Sequence, residues 1–363
     1  MFSVTLSETS GYRLVEQLSQ HAMPQTSGDR LPLVATSPPS TQRTLSWRCI
    51  APLAVAALFA FVMTMPQWTH RAEVYEATWE VRTINPIIGI HAHESLFNDE
   101  FIASSYIKWI ESAGGRAVRI PYNTSKDEYA RLLSNVNGLL FPGGAGNATE
   151  EAAYMYTLVL EMNANGTYFP LWGTCLGFEW LIQLQSQNLS ILDHVDARNM
   201  SSKVDILRNP GRLLGFSPFF HVLETRPVSF NYHQWAILQE HFYQTDALAS
   251  FFRPVATSVD RSGQTYIAAM EAMEYPIYGV QFHPEKNPYE HGKNRNGQPH
   301  YAIDHSVDAI MASQAFAHFF VGEAKRNANQ FPTPDDERAA LLSNLAPSNR
   351  SYPSYEEVLV FHD

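Results

Sequence analysis

From residue 82 onward the chain alternates short apolar runs with amphipathic stretches, joined by connections of only a few residues. That rhythm restricts the fold more than any other feature. A run that is apolar throughout has to be buried on both faces, which is the condition of a strand in a parallel sheet covered by helices on either side. Residues 87–90, 117–120 and 138–141 read as such strands, 168–172 as a fourth, and 265–271 and 277–282 as late ones. Helices are expected at 101–113, ended by Gly114-Gly115, at 127–133, at 150–163 and, closing the domain, at 306–325. The expected class is α/β, with a mostly parallel sheet and helices on both faces.

The segments outside 82–325 differ in composition. Residues 1–48 are polar and rich in Ser, Thr and Pro, supply no core and read as a disordered tail. Residues 49–65 carry no charge and match the short end of what spans a bilayer, with Arg43 and Arg48 just before them. Segment 49–66 is therefore expected to be a signal anchor or a signal peptide with a long leader, followed by a linker at 67–81. Asn-x-Ser/Thr sequons begin at Asn123, Asn147, Asn165, Asn188, Asn199 and Asn349, all beyond the apolar run, which agrees with a catalytic domain in the secretory pathway. Residues 326–363 read as an irregular tail.

Charge and cysteine usage exclude two classes. A net charge of −11, from 25 basic and 36 acidic residues without a dense basic block, argues against a nucleic-acid partner. It also means that an anionic substrate would need a local basic pocket. Only 2 cysteines are present, so there is no disulfide framework. Cys49 lies in the apolar run, which leaves Cys175 as an unpaired thiol.

Gly173-Thr174-Cys175-Leu176-Gly177 sets that thiol between two glycines where a strand gives way to a helix, the pattern of a nucleophile elbow. So tight a turn needs glycine on either side, because side chains there would strike neighbouring elements. The expected gain is a thiol at a helix amino end, with its pKa lowered and free backbone N–H groups facing a developing oxyanion. The run 277–282 ends in His283, with Glu285 two residues on, close enough to turn back onto the imidazole and act as its orienting carboxylate. Pro142-Gly143-Gly144 breaks the third strand, and strand ends in a parallel sheet converge on one crevice. The backbone N–H groups of Gly144 and Leu176 are the expected oxyanion donors.

Segments 106–114, 137–144, 168–179, 231–235 and 278–287, which include Gly173-Thr174-Cys175-Leu176-Gly177-Phe178-Glu179 and Gln281-Phe282-His283-Pro284-Glu285-Lys286-Asn287, resemble the γ-glutamyl hydrolases. The resemblance implies a class I glutamine-amidotransferase-like (flavodoxin-like) fold. It implies a Cys-His hydrolase of folylpoly-γ-glutamate tails that uses neither metal nor cofactor, is often a homodimer, and works in lysosomes, vacuoles or secretions. By position, Cys175 matches the family's nucleophile, His283 its base, His233 a second important histidine and Tyr106 a tyrosine lining the substrate site. Glu179 falls in the family string, and Phe282 stands where Trp is common. Choosing a γ over an α linkage requires contacts to the α-amine and α-carboxylate of the attacked residue, with Lys286, Arg119 and Arg116 as candidate cationic partners. The N-terminal extension leaves open a membrane tether through 49–65. Two other readings are the glutaminase part of an amidotransferase and a membrane-anchored binding protein descended from a hydrolase.

Overall fold

The structure is a computed structural model, and it describes residues 80–95, 97, 99–292, 302–348 and 355–362. The tail, the apolar run at 49–65, most of the linker and Asn349 lie outside the described residues. Among the described residues no helix is long and apolar enough to cross a membrane.

The elements run β1 (Ile87–His91), β2 (His93–Glu94), β3 (Glu100–Ala103), α1 (Ser104–Ser112), β4 (Arg116–Ile120), α2 (Lys126–Asn135), β5 (Gly138–Phe141), α3 (Glu150–Ala164), β6 (Leu171–Thr174) and α4 (Leu176–Ser186). They continue β7 (Asp193–Ser202), β8 (Asp205–Ile206), β9 (Ser229–Ala236), β10 (Phe252–Val259), β11 (Thr265–Ala272), β12 (Ile277–Val280), α5 (Val307–Ala324), α6 (Pro334–Ala340) and β13 (Val358–Phe361). The main sheet has the order β4-β1-β5-β6-β12-β11-β10-β8. Its first five strands are parallel and the last three add on antiparallel.

Both faces are covered, as expected. Trp109 and Tyr106 of α1 pack with Phe316 and Phe320 of α5 on one side. Tyr129 and Leu133 of α2, Met155 of α3 and Trp180 of α4 fill the other. Helix starts follow local capping chemistry: Ser125, Thr149 and Ser306 each accept a backbone N–H of the first turn.

Three expectations need correction. Residues 101–103 are strand rather than helix, because β3 pairs antiparallel with β13 from the far end of the chain. Thus 326–363 is not simply irregular: it holds α6 and β13. Residues 168–170 are not strand either, since the Asn163 side chain takes both the N–H and the carbonyl of Phe169, and β6 starts only at Leu171.

Candidate active site

Strand β6 lies between β5 and β12, with Phe141 opposite Gly173 and Val280 opposite Thr174. It ends at Thr174, and the Cys175 N–H still reaches the Val280 carbonyl at 2.9 Å while its backbone turns to φ 49°, ψ −102°. A non-glycine residue so placed stores strain of about 1–3 kcal/mol, which the fixed strand and helix on either side absorb. Both flanking glycines are required. A β-carbon at Gly173 would lie 2.6 Å from the Gly177 carbonyl oxygen, and one at Gly177 would overlap the Phe141 carbonyl. The Gly177 N–H instead donates to the Pro142 carbonyl at 3.2 Å, tying the elbow to the loop after β5.

From Val280 the chain takes three residues to reach His283, whose backbone N–H is held by the Phe230 carbonyl of β9 at 2.8 Å. Cys175 and His283 therefore leave the ends of neighbouring parallel strands. His283 Nδ1 lies 2.8 Å from Glu285 Oε1, and both side chains are buried. A carboxylate accepts, so the proton sits on Nδ1 and Nε2 is the basic nitrogen.

The loop 142–144 completes the site. The Gly143 N–H donates to Tyr106 Oη at 2.7 Å, and the Gly143 carbonyl lies 2.8 Å from His93 Nε2. A carbonyl can only accept, so His93 carries its proton on Nε2. In a trans peptide the carbonyl and the next N–H point in opposite directions. Holding the Gly143 carbonyl on His93 therefore turns the Gly144 N–H to the other side. Gly144 is exposed to the cleft but has no room for a side chain: a β-carbon would sit 2.8 Å from His93 Cε1 and 3.0 Å from Leu176 Cδ2. The Leu176 side chain thus lies against Gly144, and His93 holds the peptide between Gly143 and Gly144 while Tyr106 holds the N–H of the peptide before it.

The electrostatics correct one expectation. Burial pushes the Cys175 thiol well above its usual range, the carboxyls of Glu179 and Glu285 push it further, and the Leu176 N–H only partly opposes them. The resting group is a thiol, not a preformed thiolate. Burial likewise raises Glu179 to about 8, although Gln281 Nε2 donates to it at 2.9 Å. Burial lowers His93 to about 4, and His233 to about 3, so both are neutral near pH 7. His233 Nδ1 lies 3.0 Å from the Trp235 carbonyl and Nε2 3.1 Å from Asn231 Oδ1, and the single N–H of the neutral ring donates to one of these two oxygens. His233 lines the same cleft as Cys175.

A cleft of about 650 Å³ opens onto Cys175, floored by Glu179 and Gly144 and walled by Arg198, Tyr232, His233 and Trp235 of β7 and β9. The three expected cations do not line it. Lys286 is buried with its ammonium 4.6 Å over the Tyr355 ring. Arg119 pairs with Glu100 at 2.8 Å, and Arg116 pairs with Glu337. Among the described residues no group of three or more His, Cys, Asp or Glu is arranged to hold a metal ion.

With a strained cysteine at a strand end, a carboxylate-oriented histidine at the next, and a glycine loop beside them, the likeness to known proteins becomes specific. Residues 86–285 match the family model described as Peptidase C26. The chain belongs to the peptidase C26 family. It is 34% identical to "Gamma-glutamyl hydrolase" of Bos taurus over 76% of this chain and 89% of that protein, and 35% identical to "Gamma-glutamyl hydrolase 1" of Arabidopsis thaliana over 76% and 82%. "Gamma-glutamyl hydrolase B" of Dictyostelium discoideum is 32% identical over 78% and 85%. The glutaminase domain of Trypanosoma brucei CTPS, solved with bound acivicin, covers 67% of this chain at 15% identity and a TM-score of 0.41.

Within this C26 domain sequence reasoning missed His93 and Arg198, and it reached Trp235 only as the end of the string 231–235. His93 follows a two-residue gap from no motif, and β7 is so polar (Asp-His-Val-Asp-Ala-Arg-Asn-Met-Ser-Ser) that no apolar pattern announces a strand. Asn123, Asn147, Asn165, Asn188 and Asn199 are all exposed.

Proposed function

We propose that this chain hydrolyses the γ-glutamyl amide bonds of folylpoly-γ-glutamates through Cys175. The observation that carries the reading is the pairing of Cys175 and His283 on adjacent strand ends, with Glu285 on the far imidazole nitrogen, in a chain whose relatives are γ-glutamyl hydrolases. The Cys175 proton passes to His283 Nε2 as sulfur attacks the γ-carbonyl carbon, because the resting thiol is protonated. The oxyanion forms against the N–H groups of Gly144 and Leu176. The imidazolium then returns its proton to the departing amine, and a thioester to Cys175 remains. Water attacks the thioester carbon and gives a proton to His283, the C–S bond breaks as that proton returns to sulfur, and the released γ-carboxyl loses its remaining proton to solvent. His93 acts as a positioning residue that holds the Gly143–Gly144 peptide in its donor orientation, and Tyr106 holds the peptide before it.

Incubating the purified chain with pteroylpentaglutamate and resolving products by chain length tests this reading. Shortened pteroylglutamates are expected. Ammonia release from free glutamine without shortening would favour the glutaminase reading instead.

The site of action is proposed to be the secretory pathway, leading to a lysosome, vacuole or the outside of the cell, with 49–65 as leader or tether. The exposed sequon asparagines and the placement of every sequon beyond 49–65 support it. Treatment of the expressed protein with an N-glycan-removing enzyme should lower its mass, and an unglycosylated protein recovered from the cytosol would overturn the assignment.

A further inference from the structure

The wall of the cleft formed by β7 and β9 carries a cation that the proposed chemistry does not use. Arg198 lines the same cleft as Cys175. Its guanidinium lies 5.0 Å from the Tyr232 ring centroid, and Nη1 reaches Gln234 Oε1 at 3.4 Å. An aromatic face and a neutral amide hold the group in place without cancelling its charge. Asp196, two residues earlier on the same side of β7, is paired with Arg261 at 2.8 Å.

The backbone beneath Arg198 is also unusual. Pairing between β7 and β9 shifts register between Arg198 and Met200, and Asn199 between them adopts φ 52°. A bulge re-aims the neighbouring side chain and is found beside sites for that reason. This one is fixed from outside: Arg261 Nη2 donates to the carbonyls of both Arg198 and Asn199 at 2.9 Å. An arginine stacked on an aromatic ring keeps its edge N–H groups for an in-plane acceptor, and a carboxylate matches that fork with two parallel hydrogen bonds.

We infer that Arg198 is a carboxylate-binding subsite that receives a free α-carboxylate of the γ-linked glutamate chain. The inference rests on the proposed γ-glutamyl reading. Such a chain offers one α-carboxylate per residue, whereas an α-linked peptide has spent them in its backbone. A cation in the nucleophile's cleft offers those carboxylates a charged partner, against the net charge of −11 carried by the molecule as a whole.

Steady-state kinetics on the full chain test it, using pteroylpentaglutamate and the same compound with its α-carboxylates converted to primary amides. Arg198→Ala should raise KM for the carboxylate substrate about tenfold with kcat within about twofold, the usual share of one charge-assisted pair. Arg198→Gln, which keeps the aliphatic stem on Tyr232, should do the same, and Arg198→Lys should recover part of the loss. On the amide substrate, wild type and all three variants should have equal KM. A KM unchanged in Arg198→Ala and Arg198→Gln on the carboxylate substrate overturns the subsite while leaving the γ-glutamyl reading intact. An equal loss on both substrates overturns it too, by assigning Arg198 a structural part. Wild type that cleaves neither compound takes down the γ-glutamyl reading and the subsite with it.

Discussion

The buried group around the nucleophile and the ribbon that walls the cleft are built on opposite principles. On the sheet side, Cys175, His283 and Glu285 are 3%, 4% and 1% exposed, while Trp235 on the ribbon formed by β7 and β9 is 51% exposed. Cys175 is tied to the parallel strand β12 by its backbone N–H, His283 is tied by its own N–H to Phe230 of β9, and the His283 and Glu285 side chains hydrogen-bond each other. The ribbon side breaks register twice and presents Arg198, Gln234 and Trp235 to solvent. Bond cleavage depends on groups that do not move as charge develops. Recognition of a long, flexible, anionic chain tolerates side chains with more freedom. Changes on the sheet side should accordingly fall on kcat, and changes on the ribbon side on KM.

The largest test of that division is His283→Ala, expected to lower kcat at least about 10²-fold, the usual share of a positioned base. A near-normal kcat would move the base elsewhere. Glu285→Ala should cost less, because His283 is also held by its own backbone and by the close approach of Gly143. Equal losses in the two variants would make Glu285 as necessary as the base.

Next comes His93, which acts at one remove. His93→Ala should lower kcat about tenfold, a fraction of what loss of an oxyanion donor costs, with KM little changed. His93→Gln, whose amide can donate to the Gly143 carbonyl, should restore most of it. A loss confined to KM, or no rescue by glutamine, would show that His93 does not set the Gly144 N–H.

The smallest effect concerns stability. Glu179 is raised from 4.5 to about 8 in the folded chain, so between those values the folded state binds more protons than the unfolded one. Its contribution is complete below about pH 4.5 and is lost as pH rises through about 8. Melting temperatures from pH 5 to 8 should fall more steeply in wild type than in Glu179→Gln. Parallel slopes would mean that the carboxyl is not held neutral.

The same division separates what sequence could reveal from what it could not. The strand at 138–141, the elbow and the His283–Glu285 spacing are local: an apolar run, two glycines and a two-residue offset carry them. The pairing of β3 with β13 joins segments more than two hundred residues apart, so the apolar residues at 101–103 read as the start of a helix. The ribbon was illegible for a different reason. A strand exposed along much of its length has no need of an apolar period, and the cation that lines the cleft therefore went unnoticed while Lys286, Arg119 and Arg116 stood nearer to motifs. Burial of the thiol was equally hidden, since a strand-to-helix turn suggests an exposed helix end and says nothing about the carboxyls packed around it.

The central claim is that Cys175 is the nucleophile of a γ-glutamyl hydrolase. Hydrolysis of pteroylpentaglutamate by the full chain and by Cys175→Ala, measured side by side with both proteins shown to be folded by thermal melting, tests it most directly. The account predicts shortened pteroylglutamates from wild type and none above the enzyme-free blank from Cys175→Ala, with closely similar melting temperatures because a thiol-to-hydrogen change removes little packing volume. Sustained multiple-turnover hydrolysis by pure Cys175→Ala would contradict it.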